Sequence, residues 1–121
     1  MIFLSIVEMK ITVTPALAKE WFVRLNRDNH FSWFGLETLI DYYDGIDENI
    51  EFDVIAICCD CTEFGKNVDP TMDDFINAYS YLKPRDNSKS KEQYTQDLIE
   101  CLEEKTTVLH VSNGNIIVFN Y

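Results

Sequence analysis

The sequence TTVLHVSNGNIIVFNY, residues 106–121, carries the clearest local folding signal in the chain. Two apolar runs rich in β-branched residues lie on either side of Asn113 and Gly114, and this dipeptide favours the tight turn of a β-hairpin. The pattern therefore predicts that residues 106–111 and 116–121 are paired antiparallel strands.

A further strand is predicted at residues 52–61, which contain the run VIAICC between Asp53 and Asp60. An uninterrupted apolar run of this length is typical of a strand covered on both faces, so we expect it at the centre of the sheet. Residues 10–14 alternate in the manner of another strand, which could extend backward over residues 2–7.

Three of the four cysteines lie in or beside the predicted central strand. In a strand, Cys59 and Cys61 would share one face and Cys58 would lie on the other, which disfavours a zinc site completed by His30 or His110. We therefore expect Cys58 and Cys59 to be buried, reduced and unreactive in the folded protein, and we expect no metal and no other cofactor.

The first two of four predicted helices have clear start or stop signals. Thr14 is a suitable N-cap, and Pro15 fits the first helical position because that position needs no backbone N–H. The second helix is expected to begin near Ser32 and to end at Gly45. Four apolar residues at helical spacing define its buried face: Leu36, Leu39, Ile40 and Tyr43.

The third and fourth helices follow the apolar run. Asp69 is the expected N-cap of a helix over residues 71–81, and the acidic residues of its first turn suit the positive end of the helix dipole. A polar loop over residues 83–90 precedes the fourth helix. The inward residues of that helix are expected to be Tyr94, Leu98, Cys101 and Leu102.

These elements predict an α+β fold, with a small, mainly antiparallel sheet of about four strands and helices packed mostly on one side. The chain has 121 residues, of which 46% are hydrophobic, and this is enough for one packed core. We therefore expect a single domain over residues 1–121, in which residues 1–8 could be an N-terminal extension.

The charge of the chain is unevenly distributed. Residues 37–74 contain twelve carboxylates and one base, Lys66, and this window accounts for the whole net charge of −11. Because phosphate groups are bound by Lys and Arg, such a chain is not expected to bind nucleic acid or an anionic membrane. The apolar run at the N-terminus is too short for a secretion signal or a membrane span, so we expect a cytoplasmic protein.

Three of these acids form a row on the second predicted helix. Glu37, Asp41 and Asp44 lie opposite its buried face, where neighbours are about 5–6 Å apart, a spacing of the same order as that of successive DNA phosphates. Asp60 and Glu63 could extend the row if the chain folds back beside the helix. The residues predicted to contact a partner protein are Glu37, Asp41, Tyr42, Asp44, Asp47, Glu48 and Glu51, with Tyr42 as an aromatic anchor.

Parts of the sequence resemble a group of small acidic proteins encoded by bacteriophages and prophages. The similar stretches are FSWFGLETLIDYY at residues 31–43, IEFDVIAICCDCTEF at residues 50–64, residues 106–108 and the Asn113-Gly114 hairpin. The resemblance covers residues 9–121 and implies a mobile-element origin, with action in the cytoplasm of a bacterial host. Acidic inhibitors of host defence, including anti-CRISPR and antirestriction proteins, are a recurring class among such proteins.

The sequence thus favours a non-enzymatic inhibitor that binds a basic nucleic-acid channel of a host-defence complex and excludes the nucleic acid. The expected partner is a CRISPR effector or another defence nuclease, and no residue is assigned a catalytic role. Two alternatives remain open. The chain could be a structural or regulatory phage protein that self-associates, for example as a homodimer, through the apolar N-terminal strand or the terminal hairpin, or it could be a small hydrolase that uses carboxylates or a metal.

Overall fold

The computed structural model describes residues 3–6, 9–27, 29–46 and 54–121. Its helices are α1 (Pro15–Arg24), α2 (Trp33–Ile46), α3 (Val54–Asp60), α4 (Met72–Tyr79) and α5 (Lys91–Glu103), and a short 3₁₀ turn (Ser80–Leu82) follows α4. Its strands are β1 (Phe3–Ile6), β2 (Met9–Thr12), β3 (Cys61–Phe64), β4 (Val108–His110) and β5 (Ile116–Phe119). The predicted α+β fold class is confirmed.

Strand β5 is the centre of a three-stranded antiparallel sheet in the order β3-β5-β4. The predicted terminal hairpin is confirmed, because β4 and β5 pair with Leu109 opposite Ile117. In the turn between them, Gly114 has a φ of +91°, a conformation that glycine adopts without steric cost. The hairpin predicted from the strongest local signal in the sequence therefore supplies β5, the central strand of the sheet.

The predicted central strand at residues 52–61 is wrong. Val54–Asp60 form helix α3, and β3 begins only at Cys61, at one edge of the sheet. A continuous apolar run has neither the period of a half-buried helix nor that of a half-buried strand, so it fits a buried element of either kind. In the structure the run packs beside α1, with Ile57 in the core. Residues 52 and 53 lie outside the described residues.

The N-terminal strands also differ from the prediction. β1 and β2 pair with each other in a separate two-stranded antiparallel sheet, with Phe3 opposite Thr12. The strand predicted at residues 10–14 and its backward extension are therefore two strands of one hairpin. Together with the helical conformation of α3, this pairing explains why the larger sheet has three strands rather than about four.

Helices cover both faces of the larger sheet, whereas the sequence predicted them mostly on one side. Ile117 of β5 packs in a core cluster with residues of α1, α2 and α3. Its neighbours Ile116 and Val118 pack in a second cluster with residues of α4 and α5. Because successive strand residues point to opposite faces, three consecutive buried residues in β5 require a core on each side.

The predicted start of α1 is confirmed, and that of α4 is wrong. Thr14 is the N-cap of α1 and Pro15 its first residue. α4 is capped by Thr71 instead of Asp69, since the Thr71 hydroxyl accepts the Asp74 N–H while the Asp74 carboxylate accepts the Thr71 N–H. This capping box satisfies two backbone N–H groups at once, which a single Asp69 side chain would not do.

The buried faces of α2 and α5 largely match the prediction. α2 continues through Gly45 to Ile46, because one glycine costs a helix only about 1 kcal/mol. The fully buried members of the two predicted faces are Leu36, Leu39, Tyr94, Leu98 and Leu102. Their half-buried members are Ile40, Tyr43 and Cys101.

A buried carboxylate joins α2, β3 and the terminal hairpin. The Glu63 side chain is completely buried and accepts hydrogen bonds from the Ser32 backbone N–H (3.0 Å), the Ser32 hydroxyl (2.7 Å) and the Asn115 amide (2.8 Å). The Ser32 hydroxyl in turn accepts the N–H of Gly35 at 2.9 Å, in the first turn of α2. Three donors thus satisfy a carboxylate that has been removed from water.

Asn115 also binds the backbone just beyond β3. Its Oδ1 accepts the Lys66 N–H at 2.8 Å, and its Nδ2 donates to the Lys66 carbonyl at 2.8 Å. The preceding residue, Gly65, has a φ of +139°, and a Cβ there would lie 2.1 Å from the Asn115 Oδ1. Glycine is therefore required at position 65 for both conformation and space.

Gly35 of α2 packs against the Glu63 carboxylate with no room for a side chain between them. A Cβ at Gly35 would lie 1.7 Å from the Glu63 Oε1, whereas a Cβ at Gly45, in the same helix, would meet nothing within 4 Å. The two glycines of α2 therefore occupy opposite environments, one at a packed polar contact and one in open space.

We expect these two glycines to respond in opposite directions to substitution by alanine. Gly45→Ala should stabilise the protein by about 0.5–1 kcal/mol, because alanine loses less backbone entropy in a helix. Gly35→Ala should destabilise it by about 1–3 kcal/mol, because the new Cβ forces the Glu63 carboxylate away from its donors. Urea unfolding followed by circular dichroism measures both changes, and a stabilised Gly35→Ala variant would contradict this account of the network.

Candidate functional site

The outward surface of α2 combines three carboxylates with two aromatic rings. We call it the acidic α2 face and define it by five exposed residues: Trp33, Phe34, Glu37, Asp41 and Asp44. Trp33 is 45% exposed and Phe34 is 47% exposed, so nearly half of each side chain is accessible on this surface. The opposite side of α2 is fixed in the core, so the helix presents these five residues from a rigid support.

The charges along α2 gain nothing from the helix dipole, and Asp44 in the last turn opposes it. Its first turn contains no acidic residue and its last turn no basic residue, although carboxylates stabilise the first turn and cations the last. Glu37 and Asp41 are four residues apart, and Asp41 and Asp44 are three apart, so each pair is a like-charge contact that costs about 0.2–0.5 kcal/mol. These like-charge contacts lower the stability of α2, which favours a role outside folding for the acids that make them.

Trp33 and Glu37 are held together within this surface. The indole N–H of Trp33 donates to the Glu37 Oε1 at 2.7 Å, one helical turn away. Sequence reasoning missed Trp33 because its spacing from Leu36 and Ile40 places it in line with the buried face. Phe34 could have been found, since it lies three residues before Glu37 and seven before Asp41.

Tyr42 is held by internal packing. It is half-buried, and its ring centroid lies 5.2 Å from that of Phe119 in β5 and 5.3 Å from that of Tyr43. Burial, together with the nearby acidic groups of Cys61 and Asp60, raises the pKa of the Tyr43 hydroxyl. These rings fasten the C-terminal half of α2 to the sheet, and the more exposed aromatic side chains of the helix are Trp33 and Phe34.

The structure places four of the seven predicted contact residues on α2. Glu37, Asp41 and Asp44 lie together on its outward face, and Tyr42 lies beside them. The other three, Asp47, Glu48 and Glu51, lie outside the described residues.

Of the five acids of the 37–74 window that follow α2 within the described residues, three have a partner inside the fold. Asp73 forms an ion pair with Lys91 of α5, and Asp74 completes the capping box of α4. The prediction that Glu63 extends the acidic row is wrong, because its carboxylate is buried at the start of α2. Asp60, by contrast, is exposed and lies close enough to Tyr43 to affect its pKa.

Cys58 and Cys61 line one cavity of about 180 Å³, together with His30 and Asp69. A strand would have placed the two thiols on opposite faces, but Cys58 lies in the last turn of α3 and Cys61 directly follows that helix. Burial raises the pKa of the Cys61 thiol to about 12 and also raises that of Cys58. Among the described residues, no three His, Cys, Asp or Glu side chains are placed to hold a metal ion.

Two open grooves meet at the Asp73–Lys91 ion pair. One of about 490 Å³ is bordered by Lys66 and the terminal hairpin, and the other, of about 460 Å³, by Arg85 and Tyr94. The backbone N–H groups of Gly65, Lys66 and Gly114 at the first groove are all bonded within the protein. The Arg85 guanidinium lies over the Tyr94 ring at 4.9 Å.

Comparison of the chain with protein-family models, with curated proteins and with solved structures gives no match in any of the three. Within the described ranges, no helix is both long enough and apolar enough to cross a membrane. Because no comparison indicates a function, the function is inferred from the acidic α2 face.

We expect Asp41, the middle acid of the row, to favour binding of a partner protein while it lowers the stability of the fold. Asp41→Lys should raise the free energy of unfolding by about 1 kcal/mol, because it turns repulsion with Glu37 and Asp44 into attraction. Asp41→Asn, which only removes the repulsion, should give about half that gain. Urea unfolding measures both variants, and a loss of stability in each would show that Asp41 has a structural role.

The cysteines should differ in reactivity, because the expectation of burial is wrong for Cys59, which is exposed. Iodoacetamide should label Cys59 in the folded protein, whereas buried Cys61 should be labelled only after unfolding, since its raised pKa keeps the thiol protonated. Mass spectrometry of peptides after timed labelling distinguishes the two sites. Equal labelling rates in the folded state would contradict this assignment.

Proposed function

We propose that the chain is a non-enzymatic inhibitor that docks the acidic α2 face onto a basic, nucleic-acid-binding surface of a protein partner. The observation that carries the proposal is the row Glu37, Asp41 and Asp44, exposed on a helix whose sequence contains no Lys or Arg. A solubility device would be expected to intersperse both signs of charge, and it would not need to oppose the helix dipole.

The proposed contact has two physical components. The carboxylates face Lys and Arg residues that otherwise hold phosphates, and this complementarity gives fast association that weakens with salt. Trp33 and Phe34 add apolar area that becomes buried on binding, and tryptophan is among the residues that contribute most binding energy at protein interfaces.

The proposed partner is a CRISPR effector or another defence nuclease in the bacterial cytoplasm. This choice follows the resemblance to acidic phage proteins and the chemistry of the α2 face, which competes with nucleic acid and does not bind it. The inhibitor would act by occupying the nucleic-acid channel, so it needs neither a cofactor nor a catalytic residue.

A homodimer formed through an edge of the larger sheet is less well supported. The edge strands of the larger sheet, β3 and β4, contain four and three residues respectively. Such short edges offer few unpaired backbone groups to a second copy.

The test is a matched pair of charge-reversal variants. One replaces Glu37, Asp41 and Asp44 of α2 with lysine, and the other replaces the exposed acids Glu100, Glu103 and Glu104 at the end of α5 with lysine. Each variant changes the net charge from −11 to −5, so the two differ only in where the charge is lost. The measurement is displacement of labelled DNA from purified CRISPR effectors and restriction nucleases at two salt concentrations.

The wild-type protein and the α5 variant should displace the DNA, and more effectively at low salt. The α2 variant should fail to do so while it remains folded by circular dichroism. Displacement by the α2 variant at the wild-type level, or equal loss in both variants, would overturn the proposal. Light scattering of the wild type alone would reveal a salt-insensitive homodimer, which would favour the self-association alternative.

A further inference from the structure

Trp33 and Glu37 together present an aromatic ring and a carboxylate on one turn of helix. The hydrogen bond between them occupies only one oxygen of the carboxylate and restrains both side chains. Trp33 remains 45% exposed and Glu37 is also exposed, so ring and carboxylate are both accessible from the outside.

On α1, an aromatic ring and a carboxylate of the same kind are already in contact with a guanidinium group of that helix. There the guanidinium of Arg24 lies over the Trp21 ring at 5.2 Å from its centroid and donates to the Glu20 carboxylate at 2.6 Å. On α2 the ring and the carboxylate are supplied by Trp33 and Glu37, but the helix has no cation of its own.

We infer that Trp33 and Glu37 form a binding site for an arginine side chain of the partner protein. This inference rests on the proposed function and specifies its recognition chemistry. The guanidinium would lie against the exposed indole and donate to the Glu37 oxygen that the indole N–H does not use. Asp41 and Asp44 would then meet neighbouring cations of the same basic surface.

Arginine fits this site better than lysine. A guanidinium is planar, weakly hydrated and able to stack on an aromatic face while it donates to a carboxylate, whereas an ammonium is a compact and strongly hydrated charge. The indole–carboxylate hydrogen bond also reduces the number of side-chain conformations that binding has to restrict. The acidic row attracts any basic surface, and the Trp33–Glu37 pair selects one that presents arginine.

The test uses two acetylated peptides of equal charge, octa-arginine and octa-lysine, titrated into the full chain by calorimetry at low salt. The wild type should bind octa-arginine about two- to fivefold more tightly than octa-lysine. Trp33→Leu should abolish this preference and leave binding of octa-lysine unchanged. Phe34→Leu, the matched control on the same surface, should retain the preference.

A second variant and a second readout separate recognition from folding. Glu37→Gln keeps an acceptor for the indole N–H and removes the charge, so it should reduce the preference for arginine without unfolding the protein. In nitrogen-edited spectra, octa-arginine should shift the indole N–H resonance of Trp33 more than that of half-buried Trp21.

The possible failures are distinguishable. Equal affinity of the wild type for the two peptides, lost in the variant with Glu37, Asp41 and Asp44 reversed, would overturn the arginine site and leave the proposed function in place. Peptide binding that is unaffected by that triple variant would overturn both.

Discussion

The buried carboxylate of Glu63 is the interaction on which the placement of the other elements depends. Its donors, Ser32 and Asn115, are 31 and 52 residues away in the sequence, at the start of α2 and at the turn of the terminal hairpin. Because an unsatisfied carboxylate in the interior is costly, these segments cannot shift independently of β3. The network therefore fixes where α2 begins and which side of it faces the sheet, and so which residues form the acidic α2 face.

The two sides of α2 contribute to stability in opposite directions and by different amounts. Leu36 and Leu39 are fully buried, and burial of each leucine side chain contributes about 1.5–3 kcal/mol. The like-charge contacts on the outward side cost only a few tenths of a kcal/mol each. The stabilisation from the buried side of α2 thus exceeds the cost of the like-charge contacts. The outward side can therefore keep an arrangement of charges that folding alone would not favour.

Local signals in the sequence predicted the parts of the fold that local interactions determine. The Asn113-Gly114 hairpin and the Thr14 cap depend on a few neighbouring residues, and both are confirmed. The conformation of residues 54–60 depends on the space beside α1, which no local pattern encodes, so the apolar run predicts the wrong kind of element. The buried position of Glu63 is equally invisible to a local pattern, because the donors that bind its carboxylate are distant in sequence. The acidic row on α2 follows from helical period, but the outward position of Trp33 does not.

The acids of the 37–74 window illustrate why charge density in a sequence is not the same as a charged surface. Glu63 is buried in a hydrogen-bond network, Asp73 is paired with Lys91, and Asp74 caps α4, so each of these acids has a partner within the fold. On α2 the row is exposed along a helix whose own sequence contains no Lys or Arg, and the Glu37 carboxylate accepts a hydrogen bond from an exposed indole. A charged row alone would attract basic surfaces of many shapes. A ring and a carboxylate fixed to each other add a geometric requirement, and it is this requirement that would allow an acidic helix to distinguish one basic partner from another.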